Sequence, residues 1–284
     1  MTEILYVTDL DGTLLNSTGK ISDYSIKSIN YMIDQGIQFT VASARSVQSI
    51  RTLLKGLNIN IPIVAFNGGY VSDFKTGEHI CIHAISNTLA LNIYNTLKSH
   101  HGVLVSTYTK NKDVLYFDKV SSSGMQDYID DRIAALGQDV PQLENEKMLK
   151  SVDIMCLTVI DTKENIGKME TLIKDEYGDE VIVDAWEDMY YKPWHWMTIH
   201  SIESTKANAL KKLANLVDKK IDEVVVFGDN TNDIEMFKFS TRAYAVENAV
   251  DKLKIHATDI IGHHDDNSVV KKIMELEGGQ HDHL

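Results

Sequence analysis

Asp9, Asp11 and Gly12 follow directly on a short apolar run, in the stretch Ile4-Leu5-Tyr6-Val7-Thr8-Asp9-Leu10-Asp11-Gly12-Thr13. Two carboxylates at i and i+2 of an extended chain point to the same side. Like charges so placed repel unless something offsets them, and a divalent cation is the usual offset. A metal held there by oxygen ligands would be Mg2+. Taken alone, Asp-x-Asp-Gly is equally compatible with a plain surface turn, since Asp and Gly both favour turns. A calcium loop of the EF-hand kind fails on spacing: with Asp9 first, Leu14 stands where Gly is required and Lys20 where a bidentate Glu is required.

A second acidic cluster lifts the motif above a turn. Gly228-Asp229-Asn230-Thr231-Asn232-Asp233 follows another buried run, Val224-Val225-Val226-Phe227. Two strands that each deliver carboxylates to their C-terminal ends suggest one site, because ligands of open α/β sheets bind outside those ends. Two further pieces are weaker. Ser43-Ala44-Arg45 follows a strand, where a hydroxyl and a helix N-terminus can hold phosphate oxygens; a simple helix cap is the plainer reading. Lys206 opens a helix, where the dipole does not favour a cation. It either offsets carboxylate and phosphate charge or is a solvated surface lysine.

The elements that must position these groups alternate strand and helix at first. Residues 3–9 read as a strand, Ser22 caps a helix to about Gln35 with Gly36 as its stop, and Ile37 to Ala42 is the next strand. A helix from Ser46 to Leu57 and a strand from Pro62 to Phe66 complete a βαβαβ run, which predicts a parallel sheet covered on both faces. Tyr70 to Ile85 reads as a hairpin turning at Lys75-Thr76-Gly77. The middle of the chain changes texture: helices over 86–101, 121–136 and 163–177 lie among strands at 103–109, 113–117, 151–160, 180–185, 188–192 and 194–200. That is an α+β pattern with adjacent strands. The parallel pattern resumes with a helix from Thr205 to Val217, strands at 223–227 and 243–246, and helices at 231–237, 249–256 and 268–277. The expected architecture is an α/β, doubly wound, parallel-sheet core (1–84 and 200–284) with an inserted α+β cap domain (85–199). The aromatic run Trp186, Tyr190, Tyr191, Trp194 and Trp196 lies late in the insertion. Trp194-His195-Trp196 fits a strand with one aromatic on each face, so core packing accounts for most of these residues.

Bulk properties exclude several classes. The 284 residues are 43% hydrophobic and 24% charged, with a formal net charge of −13. The negative charge argues against a nucleic-acid partner, which favours a basic face. No apolar run approaches the ~20 residues of a membrane span, and no signal peptide is read. Cys81 and Cys156 sit in apolar runs and read as buried thiols of a reducing compartment. The expectation is a cytoplasmic protein, monomeric or a small homo-oligomer. Neither a P-loop nor a Gly-x-Gly-x-x-Gly run is present.

Asp9-x-Asp11-Gly12-Thr13, then Ser43, then Lys206, then Gly228-Asp229-x-x-Asn232-Asp233, in this order, resemble the motifs of the haloacid dehalogenase superfamily of aspartate-nucleophile phosphatases. The position and size of the insertion resemble its Cof-type (C2B-capped) subfamily, as do Asn67-Gly68 and Glu247-Asn248-Ala249. The chain departs from the pattern at Ser43-Ala44-Arg45, which usually reads Thr-Gly-Arg, and at Ile202-Glu203-Ser204-Thr205-Lys206, where a Gly-containing turn usually precedes the lysine. His263-His264-Asp265-Asp266-Asn267 replaces a more ordinary acidic loop, and no role is read for those histidines.

The resemblance implies Asp9 as nucleophile, Asp11 as general acid and then base, and Lys206 as a catalytic cation. It implies phosphate contacts from Gly12, Ser43, Ala44, Lys206 and Asn232, and a Mg2+ held by Asp9, Asp11 (through its carbonyl) and Asp229, with Asp233 supporting Lys206 or the metal. The substrate would be a small phosphorylated metabolite, a sugar phosphate first. A phosphosugar mutase of the same superfamily and a non-catalytic phospho-ligand sensor are the alternatives.

Overall fold

The computed structural model describes residues 4–136, 139–187 and 192–278. The chain divides into two compact units, one of Met1–Ile82 with Thr205–Leu284, the other of His83–Ser204. The boundaries expected from the sequence were 84/85 and 199/200.

In the first unit, β1 (Leu5–Thr8) leads through α1 (Asp23–Asp34) to β2 (Gln38–Val41), and α2 (Val47–Leu53) to β3 (Ile63–Ala65). Ser22 and Ser46 cap α1 and α2 by accepting the N–H of Ser25 and Ser49, the bond that satisfies an otherwise orphan donor of the first turn. Gly36, at φ +90°, ends α1. The third strand departs from expectation. β3 pairs antiparallel with β4 (Tyr70–Ser72), which pairs with β5 (His79–Ile82), in a separate three-stranded sheet. Among the described residues, one isolated parallel bridge, Ala42 to Val64, ties β3 to β2. A short reversal at 66–69 returns the chain along β3 before it can extend the parallel ladder.

The second unit runs α3 (Asn87–Lys98), β6 (Leu104–Thr109), β7 (Lys112–Phe117), α4 (Ser123–Leu136), β8 (Asp153–Asp161), α5 (Lys163–Tyr177), β9 (Val181–Glu187) and β10 (His195–Ser201). Its sheet is antiparallel, in the order β7-β6-β8-β10-β9. Ile93 and Leu97 of α3 and Ile166 and Ile173 of α5 bury one side with Leu157, Val159 and Ile199. Met125 and Ile129 of α4 form a second cluster with Leu104 and Ile160. Trp194 and Trp196 both pack against that second cluster. The expected placement on opposite faces is therefore corrected, since residues two apart share a face of a strand. The strand expected at 188–192, with Tyr190 and Tyr191, falls outside the described residues except for Lys192, which lies in a turn.

The first unit resumes with α6 (Lys206–Leu216), β11 (Val224–Gly228), α7 (Ile234–Phe239), β12 (Arg242–Ala245), α8 (Asp251–Lys254), β13 (Asp259–Ile260) and α9 (Ser268–Leu276). Its main sheet is wholly parallel, in the order β13-β12-β11-β1-β2. β1 and β11 are central and covered on both faces. Leu5, Tyr6, Val7 and Val224 to Phe227 are accordingly fully buried, and the sequence reads there as unbroken apolar runs rather than alternation. The strand order reverses between β1 and β11. Helices on either side of that point diverge, leaving a crevice at the carboxyl ends of two adjacent strands. The architecture is an α/β parallel-sheet core with an inserted α+β cap. No helix among the described residues is long and apolar enough to cross a membrane.

Candidate active site

Asp9 leaves the end of β1 in extended conformation, with its N–H bonded to Phe227 O at 3.0 Å. The backbone then closes a single wide turn over Leu10–Leu14, sealed by Leu15 N–H to Leu10 O at 2.8 Å. Gly12 makes the turn possible, with φ +73°. A Cβ there would also lie 2.5 Å from Asp229 Oδ2, so glycine is required both for the conformation and for the close approach of the second acidic loop. From β11, Asp229 is held by the Thr13 hydroxyl, which donates to Oδ1 at 3.2 Å.

Lys206 joins the two loops. It opens α6 behind the N-cap Thr205, and its side chain is buried. Its Nζ donates to Asp9 Oδ1 at 2.5 Å and to Asp233 Oδ1 at 2.7 Å. Asp233 is itself fully buried, and its other oxygen accepts the N–H groups of Asp229 and Asn230, each at 3.1 Å. The turn after β3 locks the lysine in place. Gly68, at φ +96°, seats against Thr205 so closely that a Cβ would fall 2.1 Å from Thr205 O.

Charge in this cluster does not balance. Asp9, Asp229 and Asp233 present carboxylate oxygens within 4.8 Å of one another, against the one ammonium of Lys206. Burial pushes the Asp9 carboxyl up, Lys206 pulls it down, and Asp233 and Asp229 push it up again, which together place it at about 8. Burial, then Asp233, raises Asp229 to about 6. Burial alone would push Lys206 toward neutrality, but the carboxylates of Asp233 and Asp9 outweigh it and its net direction is up. A divalent cation fits this donor set: the oxygens are hard and the excess charge is negative. Both oxygens of Asp233 are already engaged. Asp9 and Asp229 would therefore hold Mg2+, and Asp233 would support from behind.

The other sequence candidates lie around this cluster. Asp11 is not in it. The side chain turns outward and pairs with Arg45, whose Nε and Nη2 donate to its two oxygens at 2.7 Å each. The local reason is the turn: Asp11 is no longer on an extended strand, so the i, i+2 rule stops applying. Ser43 is buried, and its hydroxyl accepts the Arg45 N–H at 3.2 Å. The cap of α2 is Ser46, so Ser43 has no capping task. Ala44 is exposed in the bend that follows. Asn232 is exposed and donates to Asn67 Oδ1 at 3.0 Å.

Arg45, Asn67 and Thr13 were given no role from sequence. Asn67 had a signal, since Asn67-Gly68 is a turn dipeptide with both residues at positive φ. Arg45 and Thr13 had one only as members of the motif stretches Ser43-Ala44-Arg45 and Asp9-x-Asp11-Gly12-Thr13. The loop 263–267 also reaches the site. Asn248 donates to Gly12 O at 2.7 Å and accepts the His264 N–H at 3.2 Å.

The chain resembles known proteins along nearly its whole length. A family model described as haloacid dehalogenase-like hydrolase matches residues 6–273. The chain is 28% identical to 5-amino-6-(5-phospho-D-ribitylamino)uracil phosphatase YwtE of Bacillus subtilis (strain 168), covering 96% of this chain and 98% of that protein. It is 22% identical to a second Bacillus subtilis phosphatase of the same name, YitU, over 95% of this chain and 96% of that one. Among solved structures, TM0651 from Thermotoga maritima superposes with a TM-score of 0.78 at 26% identity, covering 97% of each chain. Matched along nearly its whole length by that model, and sharing the parallel core with its inserted cap, the chain belongs to the haloacid dehalogenase-like hydrolases.

Proposed function

We propose that this hydrolase is a Mg2+-dependent phosphomonoesterase of small phosphorylated metabolites that works through an aspartyl-phosphate on Asp9. The observation that carries the reading is the buried Asp9–Lys206–Asp233 array beside Asp229, where β1 and β11 end. A carboxylate oriented by an ammonium at the mouth of a parallel sheet is a positioned nucleophile.

Asp9 attacks phosphorus, the ester P–O bond breaks, and Asp11 gives its proton to the departing alkoxide. Asp11 then takes a proton from water as the water oxygen attacks the phosphoryl group. The P–O bond to Asp9 breaks, and inorganic phosphate leaves. Lys206 keeps Asp9 aimed and offsets its charge against the incoming phosphate dianion. Ser43 and Asn232 would hold phosphoryl oxygens. Asp9 and Asp229 would hold Mg2+, which would supply positive charge near the phosphoryl group. To serve as an acid, Asp11 must leave Arg45. With Asp11 about half exposed and Arg45 about a third, parting the pair costs on the order of 1 kcal/mol or less, which substrate binding can meet.

The named relatives support a sugar-type phosphate: a phosphorylated ribityl chain on a pyrimidine is the first compound to try, within a panel of sugar phosphates. The test is phosphate release from p-nitrophenyl phosphate and from that panel, with Mg2+ and with EDTA, for the wild type and Asp9→Asn. Metal-dependent turnover that disappears in the variant is expected. Turnover that survives Asp9→Asn would overturn the assignment of the nucleophile.

A further inference from the structure

We infer that His263, His264 and Asp265 form a second metal site, for Zn2+ or a cation of similar softness, separate from the carboxylate site at Asp9. Each of the three offers a ligand atom within 4.8 Å of the others. His263 Nδ1 lies 3.5 Å, and His264 Nε2 4.0 Å, from Asp265 Oδ2. A tetrahedral ion with bonds of about 2.1 Å holds its ligand atoms about 3.4 Å apart. His263 Nδ1 accepts the Asp265 N–H at 3.3 Å, so coordination through this nitrogen exchanges that bond for one to the ion.

The surroundings fix the ligand atoms. His264 Nδ1 is 2.6 Å from Leu15 O, and a carbonyl only accepts, so Nδ1 carries a proton and Nε2 is the nitrogen left to bind an ion. The hydroxyl near that nitrogen, Ser17 Oγ at 3.4 Å, gives its own proton to Asp265 Oδ2 at 2.6 Å. Nε2 therefore faces two oxygens and no committed donor. A histidine whose other nitrogen donates to a backbone carbonyl is the usual state of a zinc ligand. Asp265 is anchored in the same way. The N–H and hydroxyl of Ser17 donate to its two oxygens at 2.7 and 2.6 Å and hold the carboxylate beside the imidazoles. Two imidazoles and one carboxylate suit Zn2+ rather than Mg2+. His263 and Asp265 are partly exposed, which leaves the fourth position to water.

The site is wired to the nucleophile turn. Leu15, which accepts from His264, closes the turn over Leu10–Leu14. Asn248 links the His264 backbone to Gly12 O. A cation there would pin the 263–267 loop against the turn that carries Asp9 and Asp11.

The test is competition for Zn2+ against a chromophoric chelator of micromolar affinity. It uses the full chain carrying Asp9→Asn and Asp229→Asn, so that the carboxylate site is disabled. One Zn2+ per chain is expected, weakened at least tenfold by His263→Ala and restored by His263→Cys, which returns a ligand atom. The chain also carries His281 and His283, and substituting both with Ala is expected to leave the affinity unchanged. Failure to take Zn2+ from the chelator, an affinity indifferent to His263→Ala, or loss of binding with the His281 and His283 substitutions would each overturn the site. None of these outcomes depends on turnover, so the phosphatase reading stands or falls separately.

Discussion

Replacing Lys206 with Met tests the charge balance on which the active site rests. The methionine keeps most of the stem volume and removes the ammonium. The Lys206 side chain is 1% exposed, that of Asp9 8% and that of Asp233 0%, so the two carboxylates stay in low dielectric without their partner. Breaking a buried pair by deleting one member costs about 3–5 kcal/mol. The pH course follows from Asp9. Its folded value of about 8 lies above its unfolded value of 3.8, so the stability it contributes is full below about pH 4 and is lost as pH rises through 8. Deleting Lys206 removes a pull toward ionisation and moves that folded value higher. Well below pH 8, Asp9 is mostly protonated in both proteins and the cost, near the low end of the range, comes from the lost contact with Asp233. Above pH 8 the wild type stops losing stability and the variant continues. At about 1.4 kcal/mol per pH unit, the gap widens by about 2 kcal/mol between pH 8 and 9.5. The assay is urea unfolding in EDTA at pH 7 and pH 9.5. All three tryptophans, at 186, 194 and 196, belong to the other unit, so far-UV circular dichroism is followed instead of tryptophan fluorescence. A cost below about 1 kcal/mol at both pH values, or a gap that does not widen, would refute the account.

Two further outcomes are expected. Mg2+ needs Asp9 and Asp229 ionised; with these carboxyls at about 8 and about 6, binding at pH 7 releases close to one proton, and apparent affinity rises until about pH 8. Calorimetry in buffers of different ionisation enthalpy measures both, and an affinity flat from pH 6 to 9 would show that other groups hold the metal. Gly12→Ala forces a side chain to φ +73° and into Asp229. It should lower the melting temperature by an amount equivalent to about 1–3 kcal/mol and weaken the Mg2+-induced rise in melting temperature. A variant whose melting behaviour matches the wild type with and without Mg2+ would show that the close approach of the two loops is dispensable.

Much of the scaffold was legible in the sequence because its causes are local. Ser22 and Ser46 bond their own first turns, Gly36 stops its helix, and Thr205 caps α6. The runs Leu5–Val7 and Val224–Phe227 read as central parallel strands because burial on both faces demands apolar residues throughout. Asp9 and Asp229 were readable for the same reason, as charged residues at the ends of such runs. The change of pattern after the hairpin marked the insertion, although β3 was assigned to the wrong sheet, since a short apolar run does not state its partner.

What the sequence determined by itself was therefore the elements, their order, and which acids stand at strand ends. Tertiary structure decided who meets whom. Lys206 lies 197 positions from Asp9, and a lysine at a helix N-terminus reads equally as solvated until the fold buries it between two carboxylates. Asp11 was aligned with Asp9 by strand periodicity, and the turn at Gly12 instead delivered it to Arg45, 34 positions away. The meeting of Gly68 with Thr205 and of Asn232 with Asn67 rests on backbone approaches that no local rule encodes. Local interactions choose conformation within a few residues. Only packing, which brings distant segments into one low-dielectric volume, sets the charge partners and hence the protonation states the chemistry needs.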